Sequence, residues 1–399
     1  MLINSYIRRL LWTCALSFCA VAASASPALA STTSVTGCGS STLAPLVTNW
    51  AAGFDAAQSN YSLSYTTLNS GAGIYYASQG ACSFGGSDLT LAGFGLTPAD
   101  DDTDFGAGVL QLPLALSATD IVYHVPHVGE GLKLTATVLD EIFSGEIRNW
   151  DNSQIQDLNR FRRTKKVRRK KHTYYVKYWV NSPQLPDLDI TPVYRSDYSS
   201  DSYNIENYLN VAVPLWWAAT VPVSPTPSGD WPWTANAVGE FGATALFKEV
   251  SNTAGTIGYL PNEMVFDTSK DVDVAQLRNA AGNFTYSALG NISDAAASET
   301  TIPAQDDAFQ DPIIWPAAIY KSAYPLAAYL YAILPENAAG SCSGATCAFE
   351  PAGLTALVQW IVSGAGQAEG TDLGFAPLPS SVIAYDQAAL AALSQSDTP

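Results

Sequence analysis

The sequence predicts an α/β fold with room for two core-bearing domains, and three observations carry that expectation. Stretches of strand-like alternation take turns with stretches of helical spacing along most of the chain. Hydrophobic residues make up 47% of the 399 residues and charged ones only 14%, enough apolar material for two real cores. The 10 Trp and 20 Tyr belong to a packed interior and argue against a disordered chain.

Residues 1–30 read as a secretory signal rather than part of the fold. Arg8 and Arg9 precede the apolar run Leu10–Ala23, and Ala28-Leu29-Ala30 is a small-residue cleavage pattern. A membrane anchor is the alternative, but the run is shorter than the roughly 20 residues a spanning helix needs. Leu16-Ser17-Phe18-Cys19 makes a poor lipoprotein signal because bulky Phe18 precedes the cysteine. The expected location is therefore secreted, periplasmic or cell-surface. Next, Leu43, Leu46, Val47, Trp50 and Phe54 follow helical spacing, with Ser41 or Thr42 as the expected cap and Pro45 in the first turn. Tyr61, Leu63 and Tyr65 alternate with polar residues, as in a strand. Val109–His124 predicts one or two buried strands around Pro113. Thr135 opens a helix through Val138, Ile142 and Phe143 that ends near Gly145. Ile190–Tyr194 predicts a strand that runs into a loop at Arg195. Leu354, Leu357, Val358 and Ile361 mark a late helix. Residues 221–233, rich in Pro and Trp, and 294–312, rich in Ala, Ser and Asp, are expected to be loops.

Removal of the signal would leave four cysteines, and an even count in an exported chain suggests two disulfides, with Cys38–Cys82 and Cys342–Cys347 the natural pairs. Zinc is the weaker alternative: the sequence has no Cys-x-x-Cys and only three histidines. The net charge of −17 argues against nucleic acid as a partner. Against that acidic background, Arg160–Lys171 holds nine of the nineteen basic residues and no acid. A solvated surface loop is the expectation for it. A polybasic patch for an anionic surface and retained non-coding sequence are the alternatives.

Four short segments carry the chemistry: Gly37-Cys38-Gly39-Ser40-Ser41-Thr42, Asn69-Ser70-Gly71-Ala72-Gly73, Gly86-Ser87-Asp88, and Arg195-Ser196-Asp197-Tyr198-Ser199-Ser200-Asp201-Ser202. They offer hydroxyls and backbone N–H groups where helices are expected to begin. A helix start presents unpaired N–H groups and partial positive charge, and holds an oxyanion without a metal or an overall positive protein. Gly37, Gly39, Gly71 and Gly73 permit close backbone approach. Ser41, Thr42, Ser70 and Ser199 add donors, and Arg195 adds a charge-assisted one. Asp88 suits an oxyanion that still carries a proton to donate. A fully deprotonated one, such as sulfate, would leave the carboxylate facing lone pairs, which selects against it.

In this order and with their surroundings, the segments resemble the phosphate-binding proteins of ABC phosphate importers, the PstS family. Further similar stretches are Leu139–Asp151, Leu158-Asn159, Val193–Asp197, Gly255–Tyr259 and Leu373–Pro379, so the resemblance spans most of the chain beyond the signal. It implies a two-lobed fold of the type II periplasmic-binding-protein class with the ligand cleft between lobes. One lobe would comprise residues 31–116 and 320–399, the other 117–319, with the atypical basic insertion at about 160–184. The chain would cross near Leu114–Thr119 and Ser322–Pro325. It further implies extracytoplasmic capture of inorganic phosphate for delivery to the importer's membrane component, with no cofactor and no catalysis, by a protein expected to be a monomer. Ser41, Thr42, Ser70, Asp88, Arg195, Ser199, Ser200 and Asp201 take the family's contact positions, with Asp197 orienting Arg195 and Gly39 and Gly71 in support. Two departures stand out: Tyr198 and Ser200 occupy positions where the family often has Gly, and Asp201 one where it often has Thr.

Two other function classes compete. A secreted phosphatase would use a similar anion site, but hydrolysis needs a nucleophile with its base, or metals. His124, His127 and His172 are the only histidines, and none sits in a recognisable catalytic motif. A surface or matrix interaction protein is the other class. It would expose the aromatics around Trp216, Trp217, Trp231 and Trp233 and use the sequons at Asn60, Asn283 and Asn291.

Overall fold

A computed structural model of the chain describes residues 32–91, 93, 109–169, 172–181, 184–221, 224–233, 236–268, 271–298, 320–335 and 351–396. The signal segment, the Cys342–Cys347 pair and most of 294–312 lie outside the described residues. Parallel and antiparallel strands join into one long sheet in the order β2-β1-β3-β14-β4-β10-β8-β9. These strands are β1 (Thr33–Ser40), β2 (Tyr61–Leu68), β3 (Phe84–Ser87), β4 (Val109–Tyr123), β8 (Thr191–Arg195), β9 (Val238–Glu240), β10 (Thr256–Pro261) and β14 (Ala327–Pro335). β1 runs parallel to both β2 and β3, and β10 and β9 both run parallel to β8.

β4 belongs to both halves. From Val109 to Ala118 it pairs antiparallel with β14, and from Thr119 to Tyr123 with β10. The Val109–His124 stretch is thus one strand, and Pro113 does not break it. Leu110, Leu112, Leu114, Leu116, Ile121 and Val122 on it are buried, because helices cover the sheet.

Local sequence explains the elements around this sheet. Helix α1 (Ala44–Ala57) buries Leu46, Val47, Trp50 and Phe54, and Trp50 Nε1 donates to Gly366 O at 2.8 Å. Its cap is Leu43 and lacks a side-chain bond, so Ser41 and Thr42 do not cap it. Pro45 at the start supplies no N–H and needs no partner there, which leaves both hydroxyl residues free for another role. Helix α2 (Ser70–Ser78) is capped by Asn69, whose side chain accepts from Ala72 N. Thr135 caps the Ala136–Phe143 helix through Val138 N, as its position predicts. The Pro351–Ile361 helix buries Leu354, Leu357, Val358 and Ile361. The Cys38–Cys82 disulfide ties β1 to the turn before β3.

Two expectations are corrected, and a rival class loses support. Residues 294–297 end the Leu289–Ala297 helix, where Ile292, Ala295 and Ala296 are buried. Of the tryptophans that a surface-interaction protein would expose, Trp216 is exposed and the others are covered. Trp217 and Trp233 are buried, and Trp231 stacks with Tyr194 and meets Phe143 edge-on. Most unexpectedly, the basic run is no loop: β6 (Arg160–Arg169) and β7 (His172–Asn181) form an antiparallel hairpin of their own, apart from the main sheet. The register explains why so cationic a strand is tolerated. Arg162, Arg163 and Lys166 stand opposite Trp179, Tyr178 and Tyr175, while Lys165 faces Val176 and Arg168 faces Thr173. No Lys or Arg is in register with another Lys or Arg across this pair, and the partner strand is rich in β-branched and aromatic residues. Lys165, Lys166, Arg168, Tyr175, Lys177 and Tyr178 are exposed.

Candidate functional site

The C-terminal ends of the parallel strands converge on one cleft of about 560 Å³. β1 delivers Ser40, Ser41 and Thr42; the turn after β2 delivers Asn69 and Ser70; β3 leads to Asp88. From the other half, β8 delivers Arg195 and the loop to Asp201, β9 leads to Phe241 and Gly242, and β10 leads to Pro261 and Glu263. Strand ends in an α/β sheet leave backbone amides and helix starts facing such a crevice.

All eight contact residues expected from the sequence line this cleft, together with Asp197. Gly39 and Gly71 do not line it. Gly39 works from behind, at φ 136°, where a Cβ would come within 2.2 Å of Gly86 O. Gly71 lies in the first turn of α2. The crossing of β1, α2 and β3 is tight enough that a Cβ on Gly73 would approach the Gly39 Cα to 2.7 Å. That packing sets Ser70 and Asp88 side by side.

Asp88 is the hub. Its Oδ2 accepts from Thr42 Oγ1 at 3.0 Å and from Ser200 Oγ at 2.7 Å, and its Oδ1 accepts from Ser70 Oγ. Three hydroxyls from three separate segments, one of them across the cleft, thus converge on one carboxylate. Ser199 Oγ is buried with no hydrogen-bond partner, although Ser199 stands at the N-cap of the Ser200–Ala212 helix. Ser41 is exposed at the rim.

Arg195 is held in a fixed plane. Its Nε and Nη2 donate to Asp197 Oδ1 and Oδ2, each at 2.6 Å, and Gly242 N donates to Asp197 Oδ1 at 2.9 Å. Burial works against the guanidinium charge, but the bonds and charges of Asp197 and Asp201 prevail and hold its pKa above the ordinary value. Burial likewise raises Asp197, and Arg195 with Gly242 N–H outweighs it, so that carboxyl is lowered. Asp201 is 6% exposed and accepts from Thr119 Oγ1 at 2.8 Å. Burial pushes its pKa up to about 6, with Arg195 and Thr119 pulling the other way. Glu263, which accepts from Ser117 Oγ at 2.8 Å, is pushed up to about 8, mainly by desolvation and further by Asp201 and Asp88.

Sequence reasoning missed Glu263, Phe241 and Gly242. The first opens a helix beyond β10, and the others follow the three-residue β9. Only the sheet order brings these strand ends to the site, and no local motif marks them. Among the described residues, no group of three or more His, Cys, Asp or Glu is placed to hold a metal. No described helix is long and apolar enough to cross a membrane.

Comparison with known proteins agrees with the architecture. The model of the PBP superfamily domain matches residues 24–365. The chain belongs to the PBP superfamily. Within it, the chain is 26% identical over 351 residues to a phosphate-binding protein PstS of Xylella fastidiosa, covering 88% of this chain and 82% of that one. It is 27% identical over 336 residues to phosphate-binding protein PstS 2 of Mycobacterium tuberculosis, covering 84% and 80%. The fold matches that of a phosphate-binding protein from Stenotrophomonas maltophilia with a TM-score of 0.60 at 20% identity, covering 89% and 93%. It also matches a high-affinity periplasmic phosphate-binding protein solved with bound phosphate, with a TM-score of 0.61 at 19% identity and the same coverage. The type II periplasmic-binding-protein fold expected from the sequence motifs is therefore the fold of this chain.

Proposed function

We propose that this chain is an extracytoplasmic binding protein that captures inorganic phosphate reversibly and passes it to an ABC importer. The convergence of Thr42, Ser70 and Ser200 hydroxyls on Asp88, beside the clamped Arg195, is the observation that carries the reading. These hydroxyls turn from Asp88 to the ligand oxygens, and Asp88 accepts the proton that phosphate carries. Ser199 Oγ adds a donor that has no other use. Backbone N–H groups at the starts of α2 and the Ser200–Ala212 helix complete the shell. Residues 31–116 with 320–399 act as one lobe and 117–319 as the other. β4 passes between them, and closure brings the Arg195 loop onto the anion. The relatives' names and the phosphate bound to a structural neighbour support this reading. Among the described residues no histidine lines the cleft, so a phosphatase built on a Ser–His pair would lack its histidine base. The delivering form is a monomer.

Calorimetry with phosphate and sulfate in parallel tests the reading. The wild type binds phosphate and rejects sulfate. Asp88→Asn narrows that discrimination by about tenfold or more, because the acceptor that repels sulfate becomes a donor. Arg195→Ala weakens phosphate about 10- to 100-fold, the usual worth of a hydrogen bond to a charged group. Unchanged phosphate affinity in both variants removes the site.

A further inference from the structure

The cleft sets four carboxyls, those of Asp88, Asp197, Asp201 and Glu263, against the single guanidinium of Arg195. The capture reading gives work to Asp88 and Asp197 and none to Asp201. Asp201 sits in the first turn of the Ser200–Ala212 helix, buried, with Oδ1 fixed by Thr119 Oγ1 and Oδ2 3.7 Å from Arg195 Nη1. Asp197 already takes two donors of the same guanidinium. Arg195 therefore stands between two carboxylates. With both ionised, the trio is net negative where an anion must dock. With Asp201 protonated, the trio is neutral and Asp201 gains an O–H donor. The other ionisable groups that face it give no relief. Asp88 comes from the end of β3, Glu263 from the helix after β10, Asp120 from β4 and Tyr259 from β10. Arg195 is the only cation in this set.

Resting on the reading of the cleft as a phosphate site, we propose that Asp201 makes capture proton-linked: the cleft takes up its anion together with one proton from solvent. The site then binds phosphate more tightly in acid and releases it as the medium turns alkaline. The proton balance is simple. The Asp201 carboxylate gains H⁺, no bond in the ligand breaks, and the same proton returns to solvent on release. Desolvation already holds Asp201 near neutrality, at about 6, and an anion seated on Arg195 adds like charge and raises it further. A threonine at this place would supply a donor with no proton to gain or lose. Asp201 therefore makes the affinity depend on pH through the proton it gains.

The test is calorimetry with inorganic phosphate between pH 6 and 8 on the wild type, Asp201→Asn and Asp201→Thr, with Glu263→Gln as a comparison. Phosphate itself titrates in this range, so the readout is the difference between proteins. One linked proton makes affinity fall by up to about tenfold per pH unit. The wild type is therefore expected to lose about tenfold or more affinity beyond what the Asp201 variants lose across the range. Repetition in buffers of different ionisation enthalpy should count nearly one fewer proton taken up by the variants. Asp201→Thr keeps the test open should Asp201→Asn fail to fold. Parallel pH profiles in wild type and both Asp201 variants overturn the proposal and leave phosphate capture standing. A profile flattened by Glu263→Gln but not by the Asp201 changes overturns it too. Absence of phosphate binding by the wild type at every pH overturns the capture reading and this proposal with it.

Discussion

Ser199 shows what a single side chain contributes when its partner is a ligand. Its hydroxyl is buried beside the cleft without a hydrogen bond, although N-cap serines ordinarily bond to their own helix. A buried donor left unmade costs about 1–3 kcal/mol. Ser199→Ala should therefore leave the ligand-free protein as stable as the wild type or more stable, while weakening phosphate about five- to tenfold. Thermal melts with and without phosphate check this: the ligand-induced rise in Tm should shrink while the ligand-free Tm holds. A fall in the ligand-free Tm would make Ser199 a structural residue. At this scale the sequence was most legible where residue types cluster within a few positions. Thr42, Ser70, Asp88 and Arg195 each sit in a segment of hydroxyls, glycines or charges that packing alone does not call for. Glu263 opens an ordinary-looking helix, and only the C-terminal end of β10 gives it a role.

Among elements, the crossing of β1, α2 and β3 decides whether the site exists. Gly73 lies on the inner face of α2, where an added Cβ would meet Gly39 Cα at 2.7 Å and Gly86 O at 2.8 Å. Both contacts are backbone, so neither can swing aside. Gly73→Ala should push α2 outward, cost about 1–3 kcal/mol by overpacking, and displace Ser70 from Asp88. Chemical denaturation and phosphate titration of this variant should show both losses together; a loss of stability with unchanged affinity would separate the packing from the site. Elements with strong local signals were legible. α1 announced itself by its buried periodicity, and the Ala136–Phe143 helix by its threonine cap. The cap of α1 was misread because Ser41 and Thr42 fit two roles equally in sequence. The β6–β7 hairpin was misread because charge density outweighed strand propensity. Its pairing of cations with aromatic and β-branched residues exists only once the register is known.

At the scale of the whole molecule, burial of carboxyls dominates the response to pH. Asp120 is raised to about 7, Asp201 to about 6, and Glu206 and Glu263 to about 8, each chiefly by desolvation. Such a group holds more protons folded than unfolded. The stability it lends is complete below its unfolded pKa and is lost as pH rises through its folded one. Asp197, lowered by Arg195, pulls in the opposite sense and at lower pH. The ligand-free protein should therefore melt several degrees higher at pH 5 than at pH 8. Calorimetric scans at the two values check it, and the reverse order would refute the burial of these groups. The α/β class was legible from composition and alternation. The strand order was not, because β4, β10 and β14 meet across more than a hundred residues of sequence and no local pattern records a partner.

The hairpin has one more consequence. Nine of the nineteen cationic residues lie within twelve positions, and seven of them belong to β6, on a ribbon set apart from the main sheet of a body that is otherwise strongly acidic. Separated opposite charges give a molecule an electric dipole. Near any charged boundary such a molecule turns before it touches. The hairpin, whose residues do not line the cleft, therefore weighs on how the molecule turns in an electric field.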